Sequence, residues 1–91
     1  MQRSLGVVLY MNILVVEDEP IIRLGLATAI EDAGYGVLEA ASADEALRRL
    51  MISGDYGVMV TDVDMPGSMN GIELAHYVRT RWPGIQILVI S

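Results

Sequence analysis

Short, largely β-branched apolar runs alternate along this chain with longer stretches whose apolar residues recur at helical spacing. Ile13 to Val16 is such a run and stops abruptly at Glu17, Asp18 and Glu19, so it reads as a buried strand ending at charge. Pro20 suits the first turn of a helix. Behind it, Ile22, Leu26, Ala29, Ile30 and Ala33 form one stripe at 3.6 spacing, and Gly34 is placed to stop the helix. Gly36 to Ala40 is a weaker second strand. Ser42 with Glu45 makes a capping-box pattern for a second helix whose Ala43, Ala46, Leu47, Leu50 and Met51 share a face, with Gly54 at its end. Gly57 to Thr61 is a third strand. Asn70 with Glu73 opens a third helix, with Leu74, Ala75, Val78 and Trp82 inward. Pro83-Gly84 breaks it, and Ile85 to Ile90 is a fourth strand.

The order βαβαβαβ predicts an α/β fold: a doubly wound parallel sheet with right-handed crossovers. Ligands of such sheets bind beyond the carboxyl ends of the strands, where the strand order reverses. Both acidic clusters, Glu17-Asp18-Glu19 and the Asp62-Val63-Asp64 segment, lie at such ends. If the first and third strands are neighbours, Asp18 and Asp62 face each other. Carboxylates that close repel, and their pKa values rise unless a cation neutralises them. Magnesium suits the purpose, because it takes one or two carboxylates and keeps waters that a phosphate can replace. A carboxylate beside it can act as a nucleophile toward phosphorus. Glu19 reads as a charge favoured by the helix dipole rather than a ligand.

Composition narrows the choice. Ninety-one residues, 53% of them hydrophobic, suit one packed domain. No cysteine is present, which excludes disulfides and thiolate metal sites. A net charge of -6 argues against nucleic acid or an anionic membrane as a direct partner and is compatible with binding a cation. The longest apolar run, Leu5 to Val16, is interrupted by Asn12 and falls short of the roughly 20 residues that span a bilayer. It lacks the pattern of a signal peptide, so the cytoplasm is the expected location. All six basic residues are arginines, and lysine is absent. His76 and Arg48, Arg49, Arg79 and Arg81 read as solvated positions, and Trp82 as packing.

The segments "VVEDEP" and, 44 positions on, "TDVDMPGSMNG" resemble the receiver domain of bacterial two-component response regulators, over about Met11 to Ser91. The likeness is to short, single-domain receivers similar to the chemotaxis response regulator. It implies a flavodoxin-like sheet with strand order 2-1-3-4. It implies that Asp62 accepts a phosphoryl group from the phosphohistidine of a sensor histidine kinase or phosphotransfer protein. Asp18 would ligate Mg2+ directly, with Glu17 helping, Asp62 sharing the ion and Asp64 offering its backbone carbonyl. Pro66, Gly67 and Gly71 would shape the loop, Asn70 stands where the family often has Asp, and Ser91 falls where a switch hydroxyl is expected. Such a module forms its own acylphosphate without being a turnover enzyme.

The family pattern has five strands and five helices. Against it, residues 11–91 read as an incomplete receiver lacking the last helix-strand-helix unit and its lysine, and residues 1–10 as an N-terminal extension. An exposed edge strand or uncovered sheet face is then expected to give a weakly stable monomer or a homodimer. The alternative function is a phosphorylation-incompetent fragment acting as a structural or dimerisation module. The "DVD" segment also resembles the aspartate pair of haloacid-dehalogenase-like phosphatases. In those enzymes, however, the pair follows the first strand and a later lysine is needed.

Overall fold

A computed structural model describes residues 11–91; the expected extension over residues 1–10 lies outside the described residues. Seven elements follow one another: β1 (Asn12–Val16), α1 (Pro20–Asp32), β2 (Gly36–Ala40), α2 (Ala43–Ile52), β3 (Val58–Asp62), α3 (Gly71–Arg81) and β4 (Gln86–Ile90). The four strands form one sheet in the order β2-β1-β3-β4, and every pairing is parallel. The fold is thus the flavodoxin-like α/β sheet that the sequence predicts.

β1 is paired on both sides, with Val15 opposite Glu39 of β2 and Val60 of β3. Helices cover both of its faces, which is why its apolar run does not alternate with polar residues. Leu14 and Val16 point to the α2/α3 side and join Ala46, Leu50, Met59, Leu74 and Val78 in the larger core. Ile13 and Val15 point the other way and meet Val60, Leu26 and Ile30 under α1. No helix among the described residues is long and apolar enough to cross a membrane.

Two helix faces differ from the sequence expectation. In α1, Ala27 is buried and Leu26 and Ile30 half-buried, while Ile22, Ala29 and Ala33 are exposed. The helix is rotated so that Arg23 and Ala27 face the sheet, where Arg23 donates to the Glu17 carbonyl and to Glu39. In α2, Ala43, Ala46 and Leu50 are buried, but Met51 is 72% exposed. One step along a helix turns a side chain by about 100°, which carries Met51 off the face that Leu50 defines.

The helix ends also separate two roles for glycine. Gly34 has φ +99°, and the N–H groups of Gly34 and Tyr35 donate to the carbonyls of Glu31 and Ile30, the Schellman arrangement that closes α1. Gly54 does not end α2, which stops at Ile52 with Ser53 in extended conformation. A Cβ at Gly54 would instead lie 2.7 Å from the Trp82 indole, so close packing explains this glycine. α3 ends at Arg81, and Ile85 is buried just before β4 begins. Among the described residues β4 is an edge, with Leu88 53% and Val89 37% exposed.

Candidate functional site

The strand order makes β1 and β3 neighbours, with Val16 opposite Thr61. The residues that follow, Glu17 and Asp62, therefore emerge side by side at the carboxyl end of the sheet. One carboxylate oxygen from each of Glu17, Asp18 and Asp62 lies within 4.8 Å of the others. Glu17 is the deepest, at 2% exposure, while Asp18 and Asp62 are half-buried.

Hydrogen bonds fix Glu17 at several atoms. Its N–H donates to the Ala40 carbonyl at 3.0 Å, extending the β1–β2 ladder by one bond. Its carbonyl accepts from Arg23 Nη1 at 2.8 Å. Its Oε2 accepts from the Glu19 N–H at 3.0 Å. Glu19 sits at the N-cap of α1 without a side-chain capping bond. Burial pushes the Glu17 carboxyl above its ordinary value of 4.5; the Asp18 and Asp62 carboxylates push the same way, and the Glu19 N–H opposes them. Among the described residues the one ion pair is Arg23 with Glu39 at 3.2 Å, so no basic side chain neutralises the three carboxylates.

The loop after Asp62 is held at both ends. The Val63 N–H donates to Ile90 of β4, and the Gly71 N–H donates back to the Val63 carbonyl, each at 2.9 Å. Thr61 Oγ1 donates to the Asp62 carbonyl at 3.0 Å. A Cβ at Gly71 would overlap that same carbonyl, so only glycine fits where α3 starts against the strand end. Gly67 turns the chain with φ +113°, and buried Met65 pins the loop into the core. Asn70 and Glu73 form the full reciprocal capping box, each bond 2.9 Å. Ser68 Oγ adds a 2.7 Å bond to Asp44 at the start of α2.

The structure thus brings together Glu17, Asp18 and Asp62 and leaves the other candidates outside that group. The Asp64 side chain is exposed and its carboxylate takes no part; its N–H lies 3.4 Å from Asp62 Oδ1. Ser91 is exposed and follows Ile90, the residue opposite Asp62 on β4. Arg23 and Glu39 were not foreseen as site residues. The available signal was a lone arginine near the positive end of a helix, where the dipole disfavours a cation and a specific partner is needed to hold it.

An all-oxygen donor set with a buried member and no internal cation fits a hard divalent ion rather than a soft one. An open groove of about 500 Å³ lies away from this cluster, between α3 and β4, lined by residues such as Ile72, Arg79, Ile87 and Val89.

Comparison with known proteins gives the same reading. The family model for the response regulator receiver domain matches residues 13–91. The transcriptional activator protein ExaE of Pseudomonas putida is 39% identical over 83 residues, covering 89% of this chain and 38% of ExaE. The chain therefore spans well under half of that relative. The response regulator TrrA of Thermotoga maritima, solved in complex with Mg2+-BeF, superposes with a TM-score of 0.80 at 35% identity, covering 87% of this chain and 67% of TrrA. TrrA has also been solved in complex with the histidine kinase ThkA, with a TM-score of 0.78 at 35% identity over 87% of this chain and 66% of TrrA. The chemotaxis protein CheY4 of Vibrio cholerae gives 0.82 at 32% identity, covering 89% of this chain and 68% of CheY4. With its four parallel strands in the order 2-1-3-4, its paired acidic strand ends and these matches, the chain belongs to the response regulator receiver domain family of two-component signalling systems.

Proposed function

We propose that Asp62 is the phosphoacceptor of a Mg2+-dependent phosphoryl transfer from a sensor histidine kinase or phosphotransfer protein. The observation that carries this reading is the convergence of the Glu17, Asp18 and Asp62 carboxylates within 4.8 Å. Asp18 and Asp62 would hold the ion, with Glu17 behind them and the Asp64 carbonyl completing the protein ligands. Bound there, magnesium offsets the charge of the carboxylates and of the phosphoryl oxygens.

The chain's own residues then supply position. β3 carries Asp62 to the carboxyl end of the sheet, and the Thr61 and Gly71 contacts fix the backbone from which its carboxylate departs. One of its oxygens attacks phosphorus, the bond from phosphorus to the kinase histidine nitrogen breaks with its electron pair staying on nitrogen, and an aspartyl phosphate forms. Ser91, just past the β4 residue opposite Asp62, is the switch hydroxyl that donates to the new phosphoryl group. The likeness to TrrA, solved both with Mg2+-BeF and with a kinase, supports the ion and the partner class. The module is modified once per signal and is not a turnover enzyme.

A second reading rests on a specific feature: the sequence contains no lysine, and no cationic side chain among the described residues touches the carboxylates. On that reading the acidic cluster binds the ion without accepting phosphate. Intact mass after incubation with acetyl phosphate and Mg2+ separates the two. The expected result is a phosphate adduct on the native chain and none on Asp62→Asn. A folded native chain that takes up no adduct would leave the second reading in its place.

A further inference from the structure

We infer that Arg23 is a positioning residue for the metal ligands: it fixes the peptide that carries Asp18 by clamping the end of β1 to α1 and β2. The inference rests on the proposed metal site and extends it to a side chain that touches no ligand atom.

The geometry is a two-point fork. Arg23 Nη1 donates to the Glu17 carbonyl at 2.8 Å, and Arg23 Nε donates to Glu39 Oε1 at 3.2 Å. The guanidinium is planar, so both bonds together fix its orientation as well as its place. Its root is fixed too, because the Arg23 N–H donates to the Glu19 carbonyl at 2.9 Å within the first turn of α1. Glu39 lies on β2 opposite Val15 of β1. The arginine therefore joins three elements at the point where the ligand loop leaves the sheet, and its side chain is 19% exposed.

The accepting carbonyl belongs to the peptide unit that joins Glu17 to Asp18. That unit is planar, so holding its oxygen sets the plane and the direction in which the Asp18 Cα departs. On the opposite side of Glu17 its own N–H is held by Ala40. Without the Arg23 side chain, the strand end keeps its ladder bond and the Glu19 N–H keeps its Glu17 Oε2 acceptor, but the oxygen of the following peptide loses its partner while the three carboxylates repel. Repulsion then opens the cluster that a cation needs closed.

Charge and position make different predictions. As a mere cation near the site, Arg23 would oppose a divalent ion, so its removal would tighten binding and Arg23→Lys would change nothing. As a clamp, Arg23→Lys weakens binding, because an ammonium cannot bridge a carbonyl and a carboxylate with fixed fork geometry. Outer-shell partners of this kind typically cost about 10–100-fold in metal affinity when lost. The expected result is at least a tenfold rise in the Mg2+ dissociation constant for Arg23→Lys and Arg23→Gln, read by titration calorimetry where both variants are folded. Glu39→Gln, which keeps an acceptor for Nε, should change it much less.

Amide hydrogen exchange in Mg2+-free protein supplies a second readout. Arg23→Lys should speed exchange at Glu19, whose N–H is bonded to Glu17 Oε2, by about tenfold while the Leu74 and Val78 amides in α3 stay as protected as in the native chain. Native-like exchange at Glu19 in Arg23→Lys, or a Mg2+ affinity of Arg23→Lys equal to that of a native chain that binds the ion, overturns the clamp. A native chain that binds no Mg2+ overturns the proposed metal site instead, and the exchange result still decides whether Arg23 holds the loop.

Discussion

Glu17 is a carboxylate kept almost entirely from water and placed beside two others. Its folded-state pKa is raised, chiefly by burial and further by Asp18 and Asp62. The sign of the consequence follows from proton linkage: where the native state holds more protons than the unfolded state, stability falls as pH rises. The window opens at the ordinary carboxyl value of 4.5 and closes at the raised native value. In Mg2+-free buffer, urea midpoints should therefore drop as pH climbs through that window. Glu17→Gln should remove this share of the slope and stabilise the metal-free domain near neutral pH. Equal pH slopes for the two proteins would show that Glu17 does not carry the effect. Asp62→Asn, besides abolishing the phosphate adduct, should stabilise the metal-free fold in the same direction, because it removes one of the repelling charges.

At the scale of elements, helix starts aim the site. α3 begins at Gly71 directly against the Asp62 carbonyl, and its capping box holds the end of the loop that follows Asp62. α2 starts with a variant of the same device: Ser42 Oγ accepts the Glu45 N–H, but the Glu45 carboxylate reaches back to the Ala41 N–H rather than that of Ser42. Asn70→Ala leaves the Glu73 N–H without its side-chain acceptor and should cost about 1 kcal/mol, within the range known for such caps. The check is a lowered urea midpoint at unchanged slope, which reports stability rather than a change in the surface exposed. A midpoint equal to the native one would mean that water replaces the cap without loss.

For the whole molecule, the two faces of the sheet are unequal. Twelve buried residues form the core under α2 and α3, against three under α1, so most of the apolar stabilisation lies on the α2/α3 side. Among the described residues β4 is the edge of the sheet, with Leu88 on the α1 side beside Val60 and with Val89 on the groove side. Exposed apolar edges invite strand pairing. The 91-residue chain should accordingly show concentration-dependent association by sedimentation velocity, and Leu88→Lys should shift it toward monomer. Identical profiles for the two chains would remove β4 as the contact.

Much of this protein was decided locally. Apolar runs, proline and glycine punctuation and the Asn70–Glu73 pair set the seven elements to within a residue or so, because backbone hydrogen bonding and side-chain periodicity act over a few positions. The two acidic strand ends were equally legible, since charge following a buried run marks the carboxyl edge of a parallel sheet. Helix rotation was not legible. Ile22 and Ala29 fit an apolar stripe by spacing, yet both are exposed: the sheet-facing side of α1 carries Arg23 and Ala27, and the partners of Arg23, Glu17 and Glu39, adjoin it only after β1 and β2 pair. Gly54 read as a helix stop and instead makes room for Trp82, a contact between residues far apart in the chain. Residue order alone marks which carboxylates could form a cation-binding site. That Glu17, Asp18 and Asp62 meet within 4.8 Å, with Arg23 behind them, is a property of the assembled fold, because convergence depends on strand order and helix rotation, which no local pattern contains.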